Sequence, residues 1–159
     1  VDNINSLDYL TYVIKESLRL DGPASESLKY KTYDDVVVCG VPIPKGVSCA
    51  IHFYTDHFDD REYKDVHEFI PERFDPESDY YLKPDEDKGR RPTSWTPFSQ
   101  GSRKCPGQTF AMLEMKVALA YLLSHIEYEI EPEIKKYKQV GFVVGSDQTM
   151  KLKITELTK

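Results

Sequence analysis

One ten-residue segment, Phe98-Ser99-Gln100-Gly101-Ser102-Arg103-Lys104-Cys105-Pro106-Gly107, constrains this 159-residue chain more than any other. Gly101, Pro106 and Gly107 forbid regular structure through it, and an apolar helix pattern begins at Gln108 and runs to about Ser124. Phe110, Ala111, Val117, Ala118, Tyr121 and Leu122 are expected on the inner face of that helix. The loop therefore delivers Cys105 to a helix N-terminus, with Arg103 and Lys104 immediately before it. Positive charge and the helix dipole both favour an anionic sulfur, the form in which cysteine binds metal. The glycines let a flat ligand approach the main chain where a side chain would obstruct it.

The rest of the chain reads as alternating local signals. Asn5 or Ser6 is placed to cap a helix running to about Leu20, with Leu7, Leu10, Ile14 and Leu18 as its buried stripe and Gly22-Pro23 as its end. Residues 28–51 carry strand chemistry: the Val36-Val37-Val38 run, turn punctuation at Gly40, Pro42, Pro44 and Gly46, then Val47 to Ile51. That predicts a small antiparallel sheet. Residues 56–97 form an irregular meander rich in Asp, Glu, Tyr and Pro, with a short helix expected near Asp65 to Phe69. A stretch that long without regular structure is uncommon in a compact domain, so it is expected to be functional or packed on other elements. Alternation at Ile126, Tyr128 and Ile130, and again at Met150, Leu152 and Ile154, predicts terminal strands within 126–157. The fold class is α+β, mainly helical, with small antiparallel sheets.

Charge and cysteine usage narrow the partners. Twenty-seven acidic against 21 basic side chains, a net charge of -6, argue against nucleic acid. An odd count of 3 cysteines does not suit a secreted disulfide framework and points to a reducing, intracellular compartment. Cys39 and Cys49 are expected as buried free thiols rather than a bridge. No apolar run reaches the roughly eighteen residues of a membrane span, and residues 1–10 carry neither a basic nor an apolar leader. The chain opens at Val1 without Met and enters a helix pattern at once, so an upstream part is expected to be missing. His52, His57, His67 and His125 form no ligand set, and Asp56, Asp59 and Asp60 around His57 are read as a solvated loop.

The choice of metal follows from ligand number. A structural zinc needs about four ligands at recognised spacings, and no Cys-x-x-Cys or His-x-x-x-His pair lies near Cys105. A haem needs one axial ligand, and a thiolate there pushes electron density toward oxygen–oxygen cleavage. A buried cysteine at a helix start is the alternative on the residues alone. Glu16 and Arg19 stand three apart on the first helix and share a face, which by itself describes an ordinary surface pair worth ~0.2–0.5 kcal/mol.

The cysteine segment resembles the haem-binding loop of the cytochrome P450 family, Phe-x-x-Gly-x-Arg-x-Cys-x-Gly, at Phe98, Gly101, Arg103, Cys105 and Gly107. Ala111 and Glu114 stand where that family commonly has Ala and Glu. Glu16-Ser17-Leu18-Arg19 resembles its Glu-x-x-Arg helix motif, and Pro71-Glu72-Arg73-Phe74 its Pro-Glu-Arg-Phe motif. The resemblance covers essentially the whole chain as the carboxy-terminal portion of the fold. It implies Cys105 as axial ligand to the iron of haem b, and Glu16, Arg19 and Arg73 as a buried structural network. Arg103 would pair with a haem propionate. Lys29 stands where many members place a second propionate-binding Arg, keeping the charge without the planar fork. Phe98 would pack beside the sulfur, and Ala24, Ser25, Leu28, Phe142 and Val143 would wall a cavity for a lipophilic substrate. The implied activity is insertion of one oxygen atom of O2, with electrons from NADPH through a reductase docked near Arg103 and Lys104. An endoplasmic reticulum address would require an upstream anchor. The isolated chain is expected to be inactive, and a truncated haem- or partner-binding product is the other reading.

Overall fold

A computed structural model describes residues 4–130, 137–140, 143–146 and 152–157. Its first element is helix α1, Asp8–Asp21. The stop lies where expected, at Gly22, but the start does not. Leu7 is the N-cap, no side chain caps it, and Leu7 itself is exposed, so neither Asn5 nor Ser6 plays the capping part. Ile14 and Leu18 are buried as the periodicity requires, and Glu16 and Arg19 are buried beside them.

Strands β1 (Tyr30–Lys31), β2 (Val36–Val38), β3 (Val41–Ile43) and β4 (Ser48–Cys49) form two nested antiparallel pairs, β1 with β4 and β2 with β3. Val38 pairs with Val41 across Cys39-Gly40, and both turn residues have positive φ, 49° and 81°. This is the geometry a two-residue hairpin turn requires, and the glycine adopts it without a Cβ clash. Cys39 is thereby exposed at a hairpin tip and Cys49 is half-buried; both are free, but neither is the buried thiol expected.

A short helix unforeseen in the sequence, α2 (Phe53–His57), follows β4. The helix expected at 65–69 is instead a series of turns: Asp65 takes positive φ, 50°, its carbonyl receives the Glu68 N–H at 2.9 Å, and Arg19 and Arg73 donate to the carbonyls of Lys64, Asp65, Val66 and Glu68. A single 3-10 turn, Pro71–Phe74, packs against α1, and a second one, Gly101–Arg103, sits inside the cysteine loop. Helix α3, Gln108–Leu123, then leads into β5 (Ile126–Ile130), which pairs with β8 (Leu152–Glu156). β6 (Tyr137–Val140) pairs with β7 (Val143–Ser146).

The core is small and unusually polar. Ile14, Leu18, Phe53 and Tyr63 are its buried apolar members, while Glu16, Arg19, His57, Glu62 and Arg73 are buried at 2% exposure or less. The expected inner face of α3 is not an inner face within this chain: Phe110, Val117, Tyr121 and Leu122 are 70, 49, 63 and 46% exposed.

Candidate functional site

Buried carboxylate and guanidinium groups demand complete pairing, and the centre of α1 achieves it. Glu16 lies one turn before Arg19, and its carboxylate receives the Arg19 Nε and Nη2 at 2.8 Å each. It also receives Arg73 Nε and the Ile70 N–H at 3.0 Å each. Arg19 Nη1 donates to the carbonyls of His57 and Val66 at 2.8 Å. Arg73 donates to the carbonyls of Lys64 and Asp65, and Arg90 in turn donates to the Arg73 carbonyl. Two cations thus share one carboxylate, and backbone carbonyls of the meander receive the remaining guanidinium hydrogens. Desolvation holds the Arg73 and Arg90 guanidinium groups below their ordinary values.

The meander contains a second network. Glu62, buried, receives Arg91 Nε at 2.8 Å, the Arg91 N–H at 2.7 Å and Lys83 Nζ at 3.0 Å. Arg91 also donates to Asp59 at 2.8 Å, and the Arg61 guanidinium beside Asp59 brings its carboxyl down to about 2. The reading of Asp56, Asp59 and Asp60 as a solvated loop is therefore wrong for Asp59, which is buried and doubly paired. A pairing across some thirty residues has no local signal in the sequence.

The cysteine loop follows the meander. Its entrance is fixed by Tyr63 Oη donating to the Ser94 carbonyl, by Trp95 Nε1 donating to the Lys15 carbonyl, and by the Thr96 N–H donating to His57 Nε2. The Cys105 N–H donates to the Phe98 carbonyl at 2.9 Å and closes the loop on itself. Ser99 and Gly101 take positive φ, 63° and 73°. Phe98 is half-buried, its ring 6.3 Å from Trp95, while Arg103, Lys104 and Cys105 are exposed. A Cβ on Gly107 would lie 3.8 Å from the Cys105 Sγ, so glycine leaves that flank of the sulfur bare. One accessible sulfur, bordered by glycine and two cations at the start of α3, suits a flat group with a single thiolate ligand and does not suit a polydentate ion; among the described residues no cluster of three metal-ligating side chains exists.

Other sequence candidates are dispersed. Ala111 and Ala24 are half-buried, and Lys29 and Leu28 are exposed. Ser25 is buried at 4% exposure by packing within this chain, so it does not face open space as a cavity wall would. Phe142 lies outside the described residues, and Val143 is placed in β7. Residues 1–153 match the family model described as Cytochrome P450.

The chain belongs to the cytochrome P450 family.

It is similar to human cytochrome P450 4F12, 42% identical over 127 residues that make up 80% of this chain and 23% of that protein. It is also similar to mouse leukotriene-B4 omega-hydroxylase 3, 35% identical over 158 residues, 99% of this chain and 28% of that protein. The chain spans about a quarter of the curated relatives it matches. The retinoic acid-bound cyanobacterial CYP120A1 superposes with a TM-score of 0.84 at 26% identity, covering 99% of this chain and 34% of that one. The fold is therefore that of a cytochrome P450, α+β with small antiparallel sheets. Cytochromes P450 are in general haem-thiolate monooxygenases supplied with electrons by a redox partner. No helix among the described residues is long and apolar enough to cross a membrane.

His57, Tyr63, Glu62 and Arg91 escaped the sequence reading. The visible signal was the placement of a histidine, an acid, a tyrosine and an arginine inside an otherwise aperiodic stretch, but their partners are far along the chain.

Proposed function

We propose that this chain supplies the cysteine-bearing side of a haem-thiolate monooxygenase that inserts one oxygen atom from O2 into a lipophilic substrate. The observation carrying this reading is the state of Cys105: a free, accessible thiol on a loop braced at both ends and directed to the start of a long helix. Haem b, when bound, would supply the oxygen chemistry. Cys105 would hold its iron, with Phe98 beside the sulfur and Gly101, Gly107 and Ala111 leaving room for the macrocycle. Arg103, exposed and adjacent, would donate to a propionate through its planar fork, and Lys29 would offer a second, undirected charge. Glu16, Arg19 and Arg73 would serve as the structural anchor that holds the meander and hence the loop.

The name of the mouse relative, an omega-hydroxylase of leukotriene B4, supports hydroxylation of a lipophilic substrate as the reaction. Electrons would come from NADPH through a reductase. Arg103 and Lys104, both exposed, favour an acidic partner surface, since complementary charge speeds encounter. An endoplasmic reticulum address would follow from an anchor elsewhere in the protein. The apolar surface of α3, open on several faces here, favours a role inside a larger body, so the isolated chain is expected to show no turnover.

The test is the carbon monoxide difference spectrum of the reduced, haem-loaded protein, measured for this chain and for its longer parent, each beside Cys105→Ser. A red-shifted Soret band lost in Cys105→Ser is the expected result. Haem bound without that band in either protein would remove the thiolate assignment.

A further inference from the structure

Ser94, Trp95 and Thr96 lead into the cysteine loop, and each is held by a different element: Ser94 by Tyr63 of the meander, Trp95 by α1 and Thr96 by α2. The first two contacts join groups whose protonation does not change near neutrality. The third differs. An amide N–H can only donate, so His57 Nε2 must present a lone pair, and the imidazole proton must sit on Nδ1. That Nδ1 is buried and has no hydrogen-bond partner, in a residue only 1% exposed. A buried donor left unpaired carries a cost that an apolar side chain of similar volume would avoid. What imidazole offers in exchange is the acceptor aimed at Thr96.

The contact sits at a junction. The His57 carbonyl receives Arg19 Nη1 from the buried network at 2.8 Å, while its ring receives Thr96 at 2.9 Å. Beyond Thr96, its carbonyl receives the Ser99 N–H at 2.9 Å, and the Phe98 carbonyl receives the Cys105 N–H at 2.9 Å. An unbroken series of bonds thus runs from Glu16 to Cys105 through one histidine.

We propose that His57 is a positioning residue for the cysteine site: its neutral, Nδ1-protonated imidazole holds Thr96, and through Thr96 the path of the loop that presents Cys105. The inference rests on the reading of Cys105 as the haem ligand. A second proton on the ring would turn Nε2 from acceptor to donor against the Thr96 N–H and release the loop. Burial, with the Arg19 charge adding to it, resists that proton and brings the imidazole down to about 4. Arg19 on α1 and Tyr54 on α2, its ring 6.4 Å away, are the charged and titratable groups facing the ring, and Asp56 and Asp59 on either side are paired with Arg91 and Arg61.

The experiment uses the full-length, haem-loaded protein and follows the carbon monoxide difference spectrum with pH for the unsubstituted protein, His57→Leu and His57→Gln. Leu keeps volume without an acceptor, whereas Gln carries a carbonyl oxygen at the reach of Nε2 and does not titrate. His57→Leu is expected to lose most of the red-shifted band to an unshifted one at neutral pH while retaining haem, and His57→Gln to recover it. The acid loss of the band is expected to move to lower pH in His57→Gln. A full red-shifted band in His57→Leu would overturn the proposal. If His57→Leu does not fold, the Gln variant decides: the same acid midpoint as the unsubstituted protein would overturn it equally. Absence of the red-shifted band from the unsubstituted protein would instead remove the haem-ligand reading, and this inference with it.

Discussion

Helix α1 with the meander, and the cysteine loop with α3, treat burial in opposite ways. The first hides charge: Glu16, Arg19, Glu62 and Arg73 are at 2% exposure or below. The second exposes apolar surface, and α3 has no buried residue at all. The difference shows that what a segment buries follows from where its partners are, not from its hydropathy. Charged groups must be paired wherever they leave water, so the first stretch carries its acids, bases and receiving carbonyls together. Apolar residues need only a surface to lie against, which another part of a larger protein can provide.

The comparison breaks most readily at the shared carboxylate. Glu16→Ala leaves Arg19 and Arg73 buried without a counter-charge and is expected to destabilise the full-length protein by ~3–5 kcal/mol in denaturant unfolding. A loss below ~1 kcal/mol would mean that the network behaves as a surface pair despite its burial.

His57 tests the same stretch through pH. Its folded value lies below the ordinary 6.5, at about 4, so the unfolded chain binds the extra proton first. The stability it contributes is complete above about pH 6.5 and is lost as the pH falls toward about 4. The loss amounts to ~3 kcal/mol. Unfolding free energies of the unsubstituted protein and His57→Gln should lie close together near neutrality and separate on the acid side, where only the unsubstituted protein loses stability; parallel curves would remove His57 from the linkage.

Leu113→Ala sharpens the other side. Leu113 is 45% exposed in this chain. If α3 is covered in the longer protein, the substitution there costs ~2 kcal/mol or more; a change within ~0.5 kcal/mol would make α3 a true surface helix. The smallest effect belongs to Lys153→Ala, which removes an exposed pair with Glu129 at 3.2 Å. Thermal unfolding should register no more than ~0.5 kcal/mol.

Much of the site was legible because its signals are local. Gly101, Cys105 and Gly107 announce a tight loop bearing a sulfur, and the resemblance of Glu16-Ser17-Leu18-Arg19 and Pro71-Glu72-Arg73-Phe74 to known motifs marked residues that the structure brings within 3.0 Å of one another. The helix at 65–69 misled because turn and helix patterns are alike over five residues, and the positive φ of Asp65 breaks the helical path there. Asp59 misled because an aspartate in an aperiodic stretch is ordinarily solvated, and Arg91 lies 32 residues away.

The sequence by itself determined the α1 stripe at Ile14 and Leu18, the stop at Gly22, the punctuated β segment, the cysteine loop and the family to which it belongs. Periodicity, turn chemistry and a dense motif act within a few residues of chain and need no third dimension. Only the tertiary structure decided that Arg19 reaches the carbonyls of His57 and Val66, that Glu62 and Asp59 share Arg91, and that Thr96 rests on His57. Each is a hydrogen bond between groups far apart in the chain, and its direction and burial exist only once the backbone has brought donor and acceptor together.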